Sequence, residues 1–221
     1  FTVRTLSNAF AKEKLAHAFL FTGIRGVGKT TIARIIAMGL NCEAENKPTA
    51  NPCGICSNCK AILQDRYEDV LEIDAASNTG VDDVREIISS LKYRPSKGSY
   101  KVFIIDEVHM LSNSAFNALL KTIEEPPSFV KFIFCTTEMQ KIPITIVSRC
   151  QKYNLNRVTL TALCNYLEEI AQLEKLEISK EAIAVIARNS EGSIRDSLTI
   201  LDQCILSFNN ENINVESVNQ T

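Results

Sequence analysis

The pattern G-x-x-x-x-G-K-[ST] is met at every fixed position by Gly23-Ile24-Arg25-Gly26-Val27-Gly28-Lys29-Thr30. Gripping a triphosphate requires many donors in a small volume, and glycines such as Gly23, Gly26 and Gly28 let backbone N–H groups approach closely enough. Lys29 is then placed to neutralise the β and γ oxygens, and the Thr30 hydroxyl to hold Mg²⁺. Gly23, Gly26, Val27, Gly28, Lys29, Thr30 and Thr31 are therefore the expected ATP-binding residues. The plain alternative is a glycine-rich turn that binds nothing. The flanks argue against it: Ala18-Phe19-Leu20-Phe21 is strand-like, and Thr31 to Met38 carries its apolar residues at helical spacing.

A magnesium nucleotide also calls for an acidic group at the carboxyl end of a neighbouring strand. Val102-Phe103-Ile104-Ile105 runs into Asp106-Glu107. Asp106 is expected to share the magnesium with Thr30, and Glu107 to polarise the attacking water as general base. Taken alone, the pair reads equally as two solvated acids. Thr136-Thr137 follow the apolar run Val130 to Cys135, so their hydroxyls are expected near the same cleft, although threonine pairs are also ordinary strand formers. Arg149, in Ser148-Arg149-Cys150, reads either as a surface ion-pair partner or as a finger toward a neighbouring subunit's ATP. Such a finger changes rates by roughly 10³ to 10⁵. Arg195, in Gly192-Ser193-Ile194-Arg195-Asp196, opens a helix and reads as a γ-phosphate sensor or as a solvated charge beside Asp196.

Of the eight cysteines, Cys42, Cys53, Cys56 and Cys59 form C-x10-C-x2-C-x2-C. Thiolates at this spacing reach one tetrahedral Zn²⁺, and Gly54 supports the tight turn between them. Four sulfurs close the coordination sphere, so the expected zinc is structural. A redox C-x-x-C is the rival reading, but it needs neither the first nor the fourth cysteine. Cys135, Cys150, Cys164 and Cys204 have no metal spacing and read as small core residues.

Strands alternating with helices are what must position these groups. Phe1 to Ala16 reads as a helix, Asn41 to Lys60 as a cysteine-rich insertion, and Val70 to Ile73 as a strand followed by a helix over Val81 to Leu91. Lys101 to Ile105 and Val130 to Cys135 are buried-type strands on either side of a helix over Ser114 to Glu125, and Gln151 to Leu155 is a short last strand. The alternation predicts an α/β fold with a parallel sheet covered on both faces. From about Asn156 only helices follow. Thr159 or Thr161 can cap the first, Ser179 the second and Ser193 the third. Residues 1–156 thus form the expected nucleotide-binding domain with a zinc insertion at 42–59. Residues 157–213 form a helical lid, and 214–221 the start of a further, truncated helical domain.

The 45% hydrophobic content suffices for a core, and a net charge of −2 argues against a chain that coats nucleic acid over its whole surface. Lys92, Tyr93, Arg94, Lys97, Tyr100 and Lys101 make a local basic, aromatic patch that reads as a phosphate-backbone contact or as a solvated loop. His17 and His109 lack partners at ligand spacing and read as structural. No apolar run approaches the roughly 20 residues of a membrane span, so a cytoplasmic location is expected.

Taken together, the phosphate loop, the four cysteines, Glu72-Ile73-Asp74-Ala75-Ala76-Ser77-Asn78, Ile105 to Leu111, Asn117 to Pro127 and Ser148-Arg149-Cys150 resemble the bacterial DNA polymerase III gamma/tau clamp-loader ATPases, which are AAA+ proteins. The resemblance covers nearly the whole chain. It implies a pentameric loader in which ATP binding opens a ring-shaped sliding clamp and primed DNA triggers hydrolysis. Its partners would be delta, delta-prime and further gamma/tau copies, the sliding clamp and primer-template DNA. By that similarity Thr137 is the first sensor, Arg149 the finger and Arg195 the second sensor. Two departures stand out. Glu138-Met139 replaces the family's Asp-Pro after the paired threonines, and neither the family's amino-terminal adenine-holding segment nor its collar domain falls within these residues. Other readings are a branch-migration or recombination ATPase, which needs no cysteine insertion, and a non-hydrolysing loader subunit, which needs no intact Lys29, Asp106 or Glu107.

Overall fold

A computed structural model describes residues 2–45, 47–77, 80–208 and 213–220; Phe1, Asn78 and Thr221 lie outside them. The chain divides into two compact units, one of Phe1–Thr22 with Lys29–Leu155 and the other of Gly23–Gly28 with Asn156–Thr221.

In the first unit, α1 (Thr2–Ala11), β1 (Ala18–Thr22), α2 (Lys29–Asn41), α3 (Ser57–Leu63), β2 (Val70–Asp74), α4 (Val81–Ser90), β3 (Lys101–Asp106), α5 (Asn113–Glu124), β4 (Val130–Thr136), α6 (Ile144–Val147) and β5 (Gln151–Asn154) follow in order. The strands form one parallel sheet in the order β2-β3-β4-β1-β5. Because side chains alternate across a strand, Ala18, Leu20, Phe103, Ile105, Val130, Phe132 and Phe134 share one face with residues of α4, α5 and α6. Phe19, Phe21, Val102, Ile104, Ile133 and Cys135 share the other with α1, α2 and α3. Burial on both faces explains the unbroken apolar runs, each such side chain contributing about 1.5–3 kcal/mol. In this strand order β1 has β4 on one side and β5 on the other, while the chain leaving it crosses to β2 at the far edge. A reversal of that kind opens a crevice at the carboxyl ends of the strands.

Some expected elements differ. The first helix stops at Ala11 instead of reaching Ala16, where Glu13 takes a left-handed φ of 53° and Lys14 N–H closes back on Ala9 O. The insertion contains the short helix α3, capped by Cys56, whose sulfur accepts from Cys59 N–H. Helix α5 begins before Ser114 because Ser112 is its cap, accepting from Ala115 N–H at 3.2 Å. Thr136 is the buried last residue of β4 and bonds to His109, so of the two threonines only Thr137 is exposed beyond the strand.

Asp69, unremarkable in the sequence, is buried and accepts N–H bonds from Ser96 at 2.8 Å, Lys97 at 2.8 Å and Gly98 at 2.9 Å. Burial pushes its carboxyl up, but these three bonds outweigh burial and hold the carboxyl below the usual range. A depressed folded value means the carboxylate stabilises the fold fully above the ordinary aspartate range, about pH 4, and loses that contribution as pH falls through the lower folded value. Asp69→Asn is expected to destabilise by about 1–3 kcal/mol at pH 7, because an amide cannot accept all three bonds, and by less at pH 3. Urea denaturation at the two pH values measures this.

In the second unit, α7 (Leu160–Leu173), α8 (Lys180–Asn189), α9 (Ile194–Phe208) and α10 (Val215–Gln220) pack around Leu163, Leu167, Ile183, Ile186, Leu201 and Cys204, with Val218 of α10 in the same core. Thr159 rather than Thr161 caps α7, Ser179 caps α8, and Ser193 Oγ accepts from Asp196 N–H in the first turn of α9. No helix among the described residues is long and apolar enough to cross a membrane.

Candidate nucleotide site and cysteine cluster

The first unit brings five of the expected residues, Lys29, Thr30, Asp106, Glu107 and Thr137, to the carboxyl ends of the strands. Lys29 is buried where α2 begins, and Thr30 Oγ1 donates to Asp106 Oδ2 at 2.6 Å. Asp106 Oδ1 accepts the N–H of Glu107 at 2.9 Å, so both carboxylate oxygens are oriented. Glu107 has left-handed backbone angles, φ 43° and ψ 44°, which non-glycine residues keep only where the surroundings hold them. Its Oε2 accepts from Thr137 N–H at 3.2 Å and Thr137 Oγ1 at 3.1 Å. On this sheet β3 neighbours β4 and β4 neighbours β1, so the carboxylates, Thr137 and the point where the chain enters the phosphate loop all lie at the carboxyl ends of adjacent strands. The hydroxyl–carboxylate pair offers two oxygens to a hard divalent cation. Thr31, by contrast, is exposed on α2, and Arg34 one turn on forms a bidentate ion pair with Glu72 of β2 at 2.6 and 2.7 Å.

In the second unit, Gly26 is seated on the start of α9. Its carbonyl accepts from Ile194 N–H at 3.0 Å and Arg195 N–H at 3.3 Å. With φ at +76°, a Cβ there would stand 2.2 Å from Ser193 Oγ and 2.9 Å from Arg195 Cβ, so only glycine fits. Gly28 is also left-handed, at φ 90°, whereas Val27 is buried. The Arg195 side chain is exposed. Arg149, just past α6, places Nη2 2.5 Å from Glu124 Oε1 and donates from Nη1 to Thr145 O at 2.7 Å.

The Sγ atoms of Cys42, Cys53, Cys56 and Cys59 lie within 4.8 Å of one another, close to the ~3.8 Å that a tetrahedral Zn–S bond of about 2.3 Å requires. Gly54 turns the chain between them at φ +71°. Cys53 N–H points at Cys42 Sγ, Cys56 N–H at Cys53 Sγ and Cys59 N–H at Cys56 Sγ, at 3.3–3.4 Å. N–H bonds from Cys56 and Ile55 lower the Cys53 thiol to about 6, while burial pushes Cys59 up to about 12. A buried thiolate of the second kind needs a cation beside it. Cys135, Cys150 and Cys204 are buried in the cores and Cys164 is half-buried against one.

The basic patch divides. Lys92, Tyr93, Arg94 and Lys97 are exposed, whereas Lys101 Nζ donates to Ser90 O at 2.9 Å and the Tyr100 ring lies 5.6 Å from the buried Lys131 ammonium. The turn that lacks the family's proline is closed by Lys141 N–H to Glu138 O and Ile142 N–H to Met139 O, both at 3.2 Å, with a Glu138–Lys141 ion pair at 2.8 Å. Two contributors were not singled out in the sequence: Glu138, and His109 in any role beyond packing. Their signal is proximity in the chain, His109 two residues after Glu107 and Glu138 directly after Thr137.

The family profile described as DNA polymerase III, delta subunit, matches residues 1–159, and that of the DNA polymerase III clamp loader subunit, ATPase lid domain, matches residues 162–210. Among curated relatives, DNA polymerase III subunit tau of Escherichia coli K12 is 49% identical over 202 residues, 91% of this chain and 31% of that protein. The tau subunit of Bacillus subtilis 168 is 48% identical over 213 residues, 96% and 37% of the two chains. The gamma subunit of Buchnera aphidicola subsp. Baizongia pistaciae is 45% identical over 221 residues, all of this chain and 59% of that one. The chain thus spans about a third of the tau relatives. A solved structure of the Thermotoga maritima RuvB Holliday junction branch migration motor superposes with a TM-score of 0.66 at 20% identity, over 99% of this chain and 67% of that one, which shows a shared fold. With the first profile matching well over half of its residues, the chain belongs to the DNA polymerase III clamp-loader family.

Proposed function

We propose that this chain is the ATPase portion of a clamp-loader motor subunit that uses ATP to open a sliding clamp and place it on primed DNA. The observation that carries the reading is the Thr30–Asp106 hydrogen bond at 2.6 Å, because it joins the two residues expected to hold Mg²⁺ from opposite parts of the sequence. In this reading Gly23, Gly26, Val27, Gly28 and Thr31 line the phosphates and Lys29 neutralises the β and γ oxygens. Glu107 takes the proton of the attacking water, Thr137 and Arg195 sense the γ-phosphate, and Arg149 acts on a neighbour's ATP. Magnesium, bound by Thr30 and Asp106, supplies charge neutralisation. Cys42, Cys53, Cys56 and Cys59 hold a structural zinc. The partners are delta, delta-prime and further gamma/tau copies, the clamp and primer-template DNA, in the cytoplasm.

The four sulfurs favour this reading over a branch-migration motor, and intact Lys29, Thr30, Asp106 and Glu107 favour it over a non-hydrolysing loader subunit. The test is ATP turnover by the full-length protein assembled with its loader partners. Turnover stimulated jointly by clamp and primed DNA supports the proposal; turnover indifferent to the clamp overturns it.

A further inference from the structure

His109 lies two residues beyond Glu107, in the one-turn 3-10 segment Val108–Met110, with only 6% of its side chain exposed. An imidazole that deep requires polar partners on both nitrogens. Nδ1 is 3.0 Å from Thr136 Oγ1 and 3.3 Å from Glu107 Oε2, and Nε2 is 3.3 Å from Glu138 Oε1. Each partner is therefore either the proposed base or part of the Thr136–Glu138 segment, where β4 ends and the chain turns. That turn is braced in its own right, since Thr136 Oγ1 accepts Glu138 N–H at 3.0 Å and Glu138 pairs with Lys141.

Around Glu107 Oε2, two donors come from Thr137, and His109 Nδ1 stands 3.3 Å away, an ion-pair distance for the ring that carries both protons, the form that serves Glu107 and Glu138 together. A Thr137 that turns to a γ-phosphate releases its two. The imidazole, anchored through Thr136 and Glu138, is then what keeps the carboxylate from swinging about its strained, left-handed backbone. Resting on the proposed reading of Glu107 as general base, we infer that His109 is a positioning residue: its ring ties Glu107 to the Thr136–Glu138 turn, so the state of that turn sets where the base points.

The test compares wild type, His109→Ala, His109→Asn and His109→Gln in the full-length protein, assembled with loader partners, clamp and primed DNA, reading kcat, ATP affinity and thermal midpoint. An asparagine amide can occupy the place of Nδ1 and reach Glu107 and Thr136, whereas a glutamine amide reaches the place of Nε2 and only Glu138. His109→Ala is expected to lower kcat by about 10-fold or more, part of the roughly 10² to 10⁴ that general base catalysis supplies. ATP affinity is expected to stay within about two-fold, the signature of an interaction that matters only in the transition state. His109→Asn should recover most of the lost rate and His109→Gln should not. Wild-type kcat in His109→Ala, recovery by Gln rather than Asn, or a kcat loss that merely follows the thermal midpoint across the three variants would each overturn the inference. Should His109→Ala not fold, the Asn and Gln variants still decide it, equal rates counting against. A wild-type loader with no turnover overturns the proposed function itself, before any variant is compared, and removes this inference with it.

Discussion

Arg149→Ala in the full-length chain, assembled with loader partners, clamp and primed DNA, is expected to bind ATP as wild type does and to hydrolyse it about 10³-fold or more slowly. Two readings of this arginine compete, and the structure sharpens the contrast between them. The side chain is 37% exposed, its guanidinium paired with Glu124 at the end of α5 and with the Thr145 carbonyl of α6. As a surface ion pair it would be worth about 0–1 kcal/mol of stability, and its removal would leave turnover untouched. As a finger it must exchange Glu124 for the phosphates of a neighbour, and its planar fork suits both, since carboxylate and phosphate offer the same bidentate geometry. Arg149→Lys keeps the charge but loses the fork, so it should recover little of the rate. Measuring nucleotide affinity separately from clamp-dependent turnover isolates the effect, because Lys29→Ala, as the control, is expected to lose affinity. If Arg149→Ala hydrolyses at the wild-type rate, the ion-pair reading stands and the finger role is wrong.

What could be read in the sequence depended on whether the physics was local. The phosphate loop, the Asp106-Glu107 strand end and the caps Ser179 and Ser193 follow from short-range rules about glycine, strand ends and helix starts, and each has the local geometry those rules require. The sheet was legible because burial on both faces leaves unbroken apolar runs in β1, β3 and β4. Groups whose roles come from tertiary neighbours were not. Asp69 looks like any loop carboxylate until the chain returns 27 to 29 residues later with three N–H groups aimed at it. His109 has no partner at ligand spacing, and its two carboxylates and one hydroxyl meet only once β4 lies beside the 3-10 turn. Helix α3 was hidden because its first four residues, Ser57-Asn58-Cys59-Lys60, set one metal-spaced cysteine among polar residues, a composition that reads as loop. Thr136 and Thr137 are adjacent and alike in type, yet the first is the buried last residue of β4 and the second lies exposed just past the end of the strand.

Removing zinc is expected to have the largest effect on the fold. The full-length protein should carry one zinc per chain, and stripping it with a strong chelator should unfold the insertion from Cys42 to about Leu63 while the parallel sheet persists. Binding free energies at four-thiolate sites are on the order of 10–16 kcal/mol, far above what so short a segment can gain from packing alone. Besides the sulfur cluster, Cys42, Cys59 and Ile62 reach the core with Ala50 and Ala61 against it, Thr49 N–H donates to Gly39 O of α2 at 2.9 Å, and Asn58 Nδ2 donates to Asn41 O at the end of α2 at 2.9 Å. Through that last bond the loss should also loosen the carboxyl end of α2, the helix that Lys29 begins. Limited proteolysis with and without chelator locates the unfolding, and metal analysis gives the stoichiometry. Cys59→Ser should mimic the chelator, since it leaves a three-sulfur site at a fully buried position. The redox alternative makes the opposite forecast: no bound metal, insensitivity to chelators, and a Cys53–Cys56 disulfide whose reduction changes the protease pattern. A metal-free protein whose insertion resists protease would mean that packing alone holds these sulfurs together, and that Cys59 is buried as a neutral thiol.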